Sequence, residues 1–363
     1  MNIQTHLSEY AETEGDELRS LVQRLRALPE QEPSPELHDR TMSLLSETST
    51  RVILWRRPWL GAAAAAGIAL LLSVTYVLRS SPRPLSQDMQ WLLSQQEADG
   101  TWNPAHHGGT ELFRPALTAL SILALETTAS GNCSAAITKG MAALERLQTP
   151  EGFFRSADAQ AQAYNLAMTT FALAHCSPTT PAARPLVERA VTAIRASQLA
   201  NGSWDYAPIP EGNIAITSWM IRALKDAETG GLVDSQAAQR KGLRWLLRNT
   251  ADQQGCVSYK PTEKASDTLT ALAAISFITA GHAFPETQAS ARQMTERLAL
   301  QKRPATQRDC YRDYAKIEAF MLAGKPDEAL RIRKEMATRS DGPDTWRLAG
   351  GELYTVALTA LCR

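Results

Sequence analysis

Gln96-Glu-Ala-Asp-Gly100-Thr-Trp102 decides how this chain folds, because the stretch recurs. Gln148-Thr-Pro-Glu-Gly152-Phe-Phe154 and Gln198-Leu-Ala-Asn-Gly202-Ser-Trp204 follow at intervals of 52 and 50 residues. A looser copy, Asp252-Gln-Gln-Gly255-Cys-Val, places its glycine 53 residues after Gly202. Each copy closes an amphipathic helical pattern, turns through a polar residue and a glycine, and leads into an apolar run. A fixed period of this length with one turn signal per unit predicts a repeat architecture.

Outward from these turns the helices come in pairs of contrasting character. The first of each pair is amphipathic with a basic face, as in Ile137 to Leu147, Val187 to Ser197 and Ala237 to Leu247. The second is nearly free of charge, as in Ala116 to Leu125, Leu166 to Ala174 and Leu269 to Thr279. One apolar stripe means one wet side, and an apolar circumference means burial all round, so the pattern predicts an outer and an inner ring of helices. The expected outer helices span 85–97, 134–148, 182–199, 235–250, 286–301 and 326–339; the inner ones span 110–128, 158–175, 213–228, 265–280, 308–323 and 348–362.

The spacing Q-x3-G-x-W, with Phe154 in the tryptophan position of the second copy, resembles the QW motif of terpenoid cyclases. Residues 85–363 therefore resemble the squalene cyclase and protein prenyltransferase superfamily, which implies an all-α (α/α)6 toroid. In physical terms the glycines (Gly100, Gly152, Gly202, Gly255) permit the tight turn. The polar residue before each glycine bonds local backbone, and the aromatic packs over the junction.

The family's chemistry is not carried over with its fold. There is no Asp-x-Asp-Asp sequence for protonating a substrate, and Asp267 reads equally as a cap or first-turn carboxylate. Arg308-Asp309-Cys310-Tyr311 stands where prenyltransferases carry Asp-x-Cys. Its aspartate adjoins the cysteine, however, and Gly351-Glu-Leu-Tyr354 supplies no histidine, so no zinc site is expected. Complement-like thioester domains share the toroid, but their Cys-Gly-Glu-Gln is missing. No metal, cofactor or catalytic residue is expected. Parallel inner helices would gather their N-termini at the rim of the glycine turns. Arg114, Tyr164, Trp219, Asp267, Tyr311 and Tyr354 are the candidate lining of a cavity there for a peptide, glycan or lipid. Rim solvation is the alternative account of these residues.

The remainder of the chain bears on location. With 38 basic and 38 acidic residues among 363, no global field favours nucleic acid. Pro58 to Leu78 is uncharged and long enough for a hydrocarbon core of about 30 Å. Arg51, Arg56 and Arg57 precede it and Arg79 and Arg83 follow, which predicts residues 1–57 inside and the toroid outside. Residues 1–50, a basic segment 51–57, the single span 58–78 and a linker 79–84 resemble a bacterial single-pass anti-sigma factor, here without the zinc-binding His-x3-Cys-x2-Cys. That resemblance implies a sigma factor as partner. An oxidising outer compartment would allow Cys133–Cys176 and Cys256–Cys310 disulfides, leaving Cys362 free. The expectation is thus a single-pass inner-membrane regulator whose periplasmic toroid senses or binds. The alternatives are a tethered cyclase-like enzyme acting on a lipid, or a passive envelope scaffold.

Overall fold

The computed structural model describes residues 85–127, 133–206, 211–250, 255–259, 264–281, 284–300, 308–338 and 347–362. The chain divides into a unit of residues 1–81 and a unit of residues 82–363. The expected tail, basic segment, span and linker (1–84) lie outside the described residues.

Among the described residues six outer helices alternate with six inner ones. The outer set is α1 (Gln87–Ser94), α3 (Ser134–Leu147), α5 (Ala183–Ala196), α7 (Gln236–Thr250), α9 (Pro285–Leu300) and α11 (Pro326–Thr338). The inner set is α2 (Arg114–Glu126), α4 (Ala159–Cys176), α6 (Ile214–Thr229), α8 (Asp267–Ala280), α10 (Cys310–Leu322) and α12 (Arg347–Leu361). Each inner helix packs against the next, and α12 returns to pack on α2 and α1, which closes the ring. Among the described residues there is no strand, only an isolated bridge between Gln148 and Phe154.

The charge contrast maps onto the two layers. On α2 every residue from Pro115 to Leu125 is buried, and on α8 every residue from Leu269 to Phe277. On α5 a stripe of Leu186, Val187, Ala190, Val191 and Ile194 is buried, while Glu188, Thr192 and Arg195 alternate with it. Full burial of such aliphatic side chains contributes about 1.5–3 kcal/mol each, so the two stripes together dominate the stability of the ring.

The repeat turns join one unit to the next. Gln96 Nε2 donates to the Gly100 carbonyl at 3.0 Å and to Ala136 on α3 at 2.8 Å. Gln148 reaches Gly152 and Leu186 on α5 in the same way, and Gln198 reaches Gly202 and Ala238 on α7. Glycine is required for two reasons at Gly202. Its φ is +95°, and a Cβ there would lie 2.7 Å from the carbonyl oxygen of Lys241. The aromatic then anchors the turn: Trp102 and Trp204 donate their indole N–H to Leu92 and Ile194 carbonyls, both at 2.7 Å.

Two expectations are corrected here. None of the five cysteines forms a disulfide; Cys310 faces the Thr359 hydroxyl at 3.7 Å and Cys256 receives the Arg297 guanidinium at 3.4 Å. Among the described residues no helix is long and apolar enough to cross a membrane, which is the finding set against the expected inner-membrane location; residues 58–78 lie outside them.

Candidate functional site

The inner helices present their N-terminal turns at one end of the ring, and four of them are held by a side-chain cap. Asp158 accepts from the Ala161 N–H, Asn213 from Ile216, Ser266 from Leu269 and Asp309 from Arg312. These caps fix which side chains of the first two turns face the axis.

Aromatic rings converge there. Phe113, Tyr164, Tyr311 and Tyr354, with Gln160, Met168 and the backbone of Ala349 and Gly350, line a cavity of about 80 Å³ at the axial mouth. Phe113 meets Tyr164 edge-on at 6.4 Å, and Tyr311 lies 6.1 Å from Tyr354. Behind this wall Trp219 stacks on Tyr311 and donates its indole N–H to the phenol oxygen at 2.5 Å. The Tyr311 oxygen is thus occupied as an acceptor. Burial pushes the Tyr164 and Tyr311 phenols well above the ordinary tyrosine range, so both remain protonated donors at neutral pH.

Of the residues expected from sequence, Tyr164, Tyr311 and Tyr354 are brought together in one cavity, and Trp219 supports it from behind. Arg114 is elsewhere, in ion pairs with Glu111 at 2.8 Å and Asp99 at 3.4 Å on the rim. Asp267 is not a cap, since Ser266 has that task; it pairs with Lys316, whose side chain is 3% exposed, at 3.0 Å. Phe113 and Gln160 were missed because neither falls in a repeat motif. Lys316 was missed because its partner lies 49 residues away on another helix.

Three carboxylates of the inner-helix starts are already engaged. Asp267 holds Lys316, Asp309 caps α10, and the buried Asp313 receives Arg312 at 3.0 Å. Among the described residues no group of three or more His, Cys, Asp or Glu side chains is placed to hold a metal ion.

Two comparisons with known proteins bear on this geometry. A family model for the A-macroglobulin TED domain matches residues 58–198, less than half of the chain. Among solved structures, the α-1,6-mannanase GH76A of Salegentibacter sp. HEL1_6 in an inactive variant with α-1,6-mannotriose superposes with a TM-score of 0.56 and 11% identity, covering 76% of this chain and 98% of that one. A second inactive variant of it, with α-1,6-mannotetrose, gives 0.55 at 12% identity, covering 76% and 99%. No curated protein matches the sequence. At this identity the likeness concerns the fold: an α/α toroid.

These findings correct the functional expectation. The solved structures named above are α-1,6-mannanases, and neither is an anti-sigma factor or a terpenoid cyclase. The TED match begins at residue 58 and so runs through the stretch read as a membrane span. The single-pass, sigma-factor-binding regulator and its inner-membrane location are set aside.

Proposed function

We propose that the toroid recognises a carbohydrate at its axial mouth. The observation that carries this reading is the cavity walled by Phe113, Tyr164, Tyr311 and Tyr354. Pyranose rings present apolar C–H faces and polar edges, and a site of aromatic faces with a few phenol and amide groups matches both. The mannanase structures that share the fold hold α-1,6-mannotriose and α-1,6-mannotetrose, which supports the ligand class.

Hydrolysis is the second reading, favoured by what those neighbours do. Glycoside cleavage ordinarily requires two available carboxyl groups about 5–9.5 Å apart. The variants of the neighbour are inactivated by changes at two consecutive aspartates. This sequence has no two consecutive aspartates, and three carboxylates of its inner-helix starts are committed to Lys316, Arg312 and a helix cap. Recognition is therefore preferred to cleavage.

Calorimetric titration of the full chain with α-1,6-mannotriose, with product analysis of the same samples, tests both. Saturable binding that Tyr164→Ala weakens, without release of shorter sugars, supports recognition; release of mannose would move the account to a hydrolase; no saturable binding of any saccharide would end it.

A further inference from the structure

The second repeat departs from its neighbours at the positions that open a groove. In the first, third and fourth units a threonine of the inner helix tethers the turn. Trp102, Trp204 and Val257 donate their backbone N–H to the hydroxyls of Thr118, Thr217 and Thr270, at 3.1, 3.0 and 2.9 Å. Thr217 and Thr270 stand four residues after their caps, Asn213 and Ser266. The residue four after the second unit's cap, Asp158, is Gln162. No tether is made there; Phe154 instead forms a bridge with Gln148.

The turn residue ahead of the aromatic is also changed. Thr101 and Ser203 are buried and bond Asp99 and Asn201, at 2.7 and 2.6 Å through their hydroxyls. The second unit has the half-exposed Phe153 in this place. A repeat that breaks its own rule at two points, with the tether replaced by a bond from the Arg155 N–H to the Leu147 carbonyl, marks a position open to a role besides folding.

Space opens on both sides of these two residues. One cleft of about 350 Å³ runs toward Gln198, Asp205 and Tyr206, and another of about 650 Å³ runs toward Arg114, Arg155 and Ser156. Phe153 and Gln162 are the residues the two clefts have in common. Tyr206 in the first cleft lies 5.9 Å from Tyr164 of the axial cavity, so the cleft and the mouth lie on either side of this ring pair.

We infer that Phe153 and Gln162 form a platform for a sugar residue beyond the mouth, and that the ligand is a linear oligosaccharide running from the axial cavity across the rim. This rests on the carbohydrate reading above. The trough formed by the two clefts is larger than one ring needs and is open along its length. Its aromatic waist offers a stacking face, and the Gln162 amide offers both donor and acceptor to hydroxyls. Arg114 is neutralised by Glu111 and Asp99, which suits a neutral chain better than a polyanion.

The test uses the full chain with mannose, α-1,6-mannotriose and α-1,6-mannotetrose as probes. Phe153→Ser and Gln162→Thr each install the residue that the third unit carries, so a folded protein is expected and is checked by its melting temperature. Affinity should rise with chain length in the wild type. Both variants should lose about tenfold on the tetrasaccharide, as expected for losing a stacked ring or its hydrogen bonds, while mannose binding stays unchanged. A length dependence retained in both variants overturns the platform and leaves the axial reading standing. Loss of mannose binding in Tyr164→Ala, with wild-type behaviour in neither platform variant, would support both. Failure of every saccharide to bind the wild type overturns both together.

Discussion

Trp219 and Tyr311, on helices α6 and α10, lie 6.3 Å apart with only 11° between their planes, and the indole N–H of one donates to the phenol of the other at 2.5 Å. The bond bridges two inner helices that flank α8 and fixes the orientation of a cavity wall. Trp219→Phe keeps the ring and removes the donor. Leaving a buried phenol without that partner should cost about 1–3 kcal/mol in chemical denaturation, and saccharide affinity should fall because Tyr311 is no longer held. An unchanged denaturation midpoint would mean the bond contributes nothing.

The turns give a second prediction. Gly202→Ala forces a Cβ onto a residue at φ +95° and against the Lys241 carbonyl. The left-handed conformation alone costs about 1–2 kcal/mol, and the displaced α7 adds to it. Gln198→Ala should lose about 1–3 kcal/mol by removing the side-chain bonds to the carbonyls of Gly202 and Ala238. Gly231→Ala serves as a control, because its φ is also positive but nothing lies within 4 Å of a built Cβ. Equal losses at Gly202 and Gly231 would remove the close-approach argument.

How much of this was legible in the sequence follows from what each signal depends on. The helix pairs could be read because solvent exposure leaves its mark locally: Glu188 and Arg195 show which side of α5 is wet. Glycine and tryptophan could be read because their spacing is local too. The role of Gln96, Gln148 and Gln198 as clamps between units could not, since the second carbonyl of each belongs to a helix about forty residues on. The axial tyrosines were found as polar aromatics at inner-helix starts. Phe153 and Gln162 were within reach, because aligning the turns shows phenylalanine against Thr101 and Ser203, and glutamine against Thr217 and Thr270. That alignment needed the caps, which only the structure fixes.

A third prediction concerns the Asp267–Lys316 pair. Lys316 is almost wholly buried, and removing Asp267 leaves its ammonium without that anion. Asp267→Ala should therefore destabilise by about 3 kcal/mol, whereas the double variant Asp267→Ala with Lys316→Met should recover most of the loss. Thermal melts of the three proteins decide it; additive losses would show that the pair is not coupled.

Alkaline stability should report the buried phenols. Burial raises the folded pKa of Tyr164, Tyr311 and Tyr314 above the ordinary tyrosine value of about 10. Below that value both states are protonated and the full stability is present. Above it the unfolded chain releases protons that the folded chain keeps, so stability falls as pH rises toward the folded values. Denaturation midpoints from pH 9 upward should decline, with a smaller slope for Tyr311→Phe. An identical slope would place that phenol in contact with water.

The most direct test of the carbohydrate reading is calorimetric titration of the full chain with α-1,6-mannotetrose, comparing wild type with Tyr164→Ala. Tyr164 is half-buried at the mouth and packs on Phe113 and Tyr206, so the fold of the variant is checked by its melting temperature. Saturable binding in the wild type, weakened by about tenfold or more in the variant, is the expected result. No heat of binding in the wild type, or equal affinity in both proteins, would contradict recognition at the axial mouth.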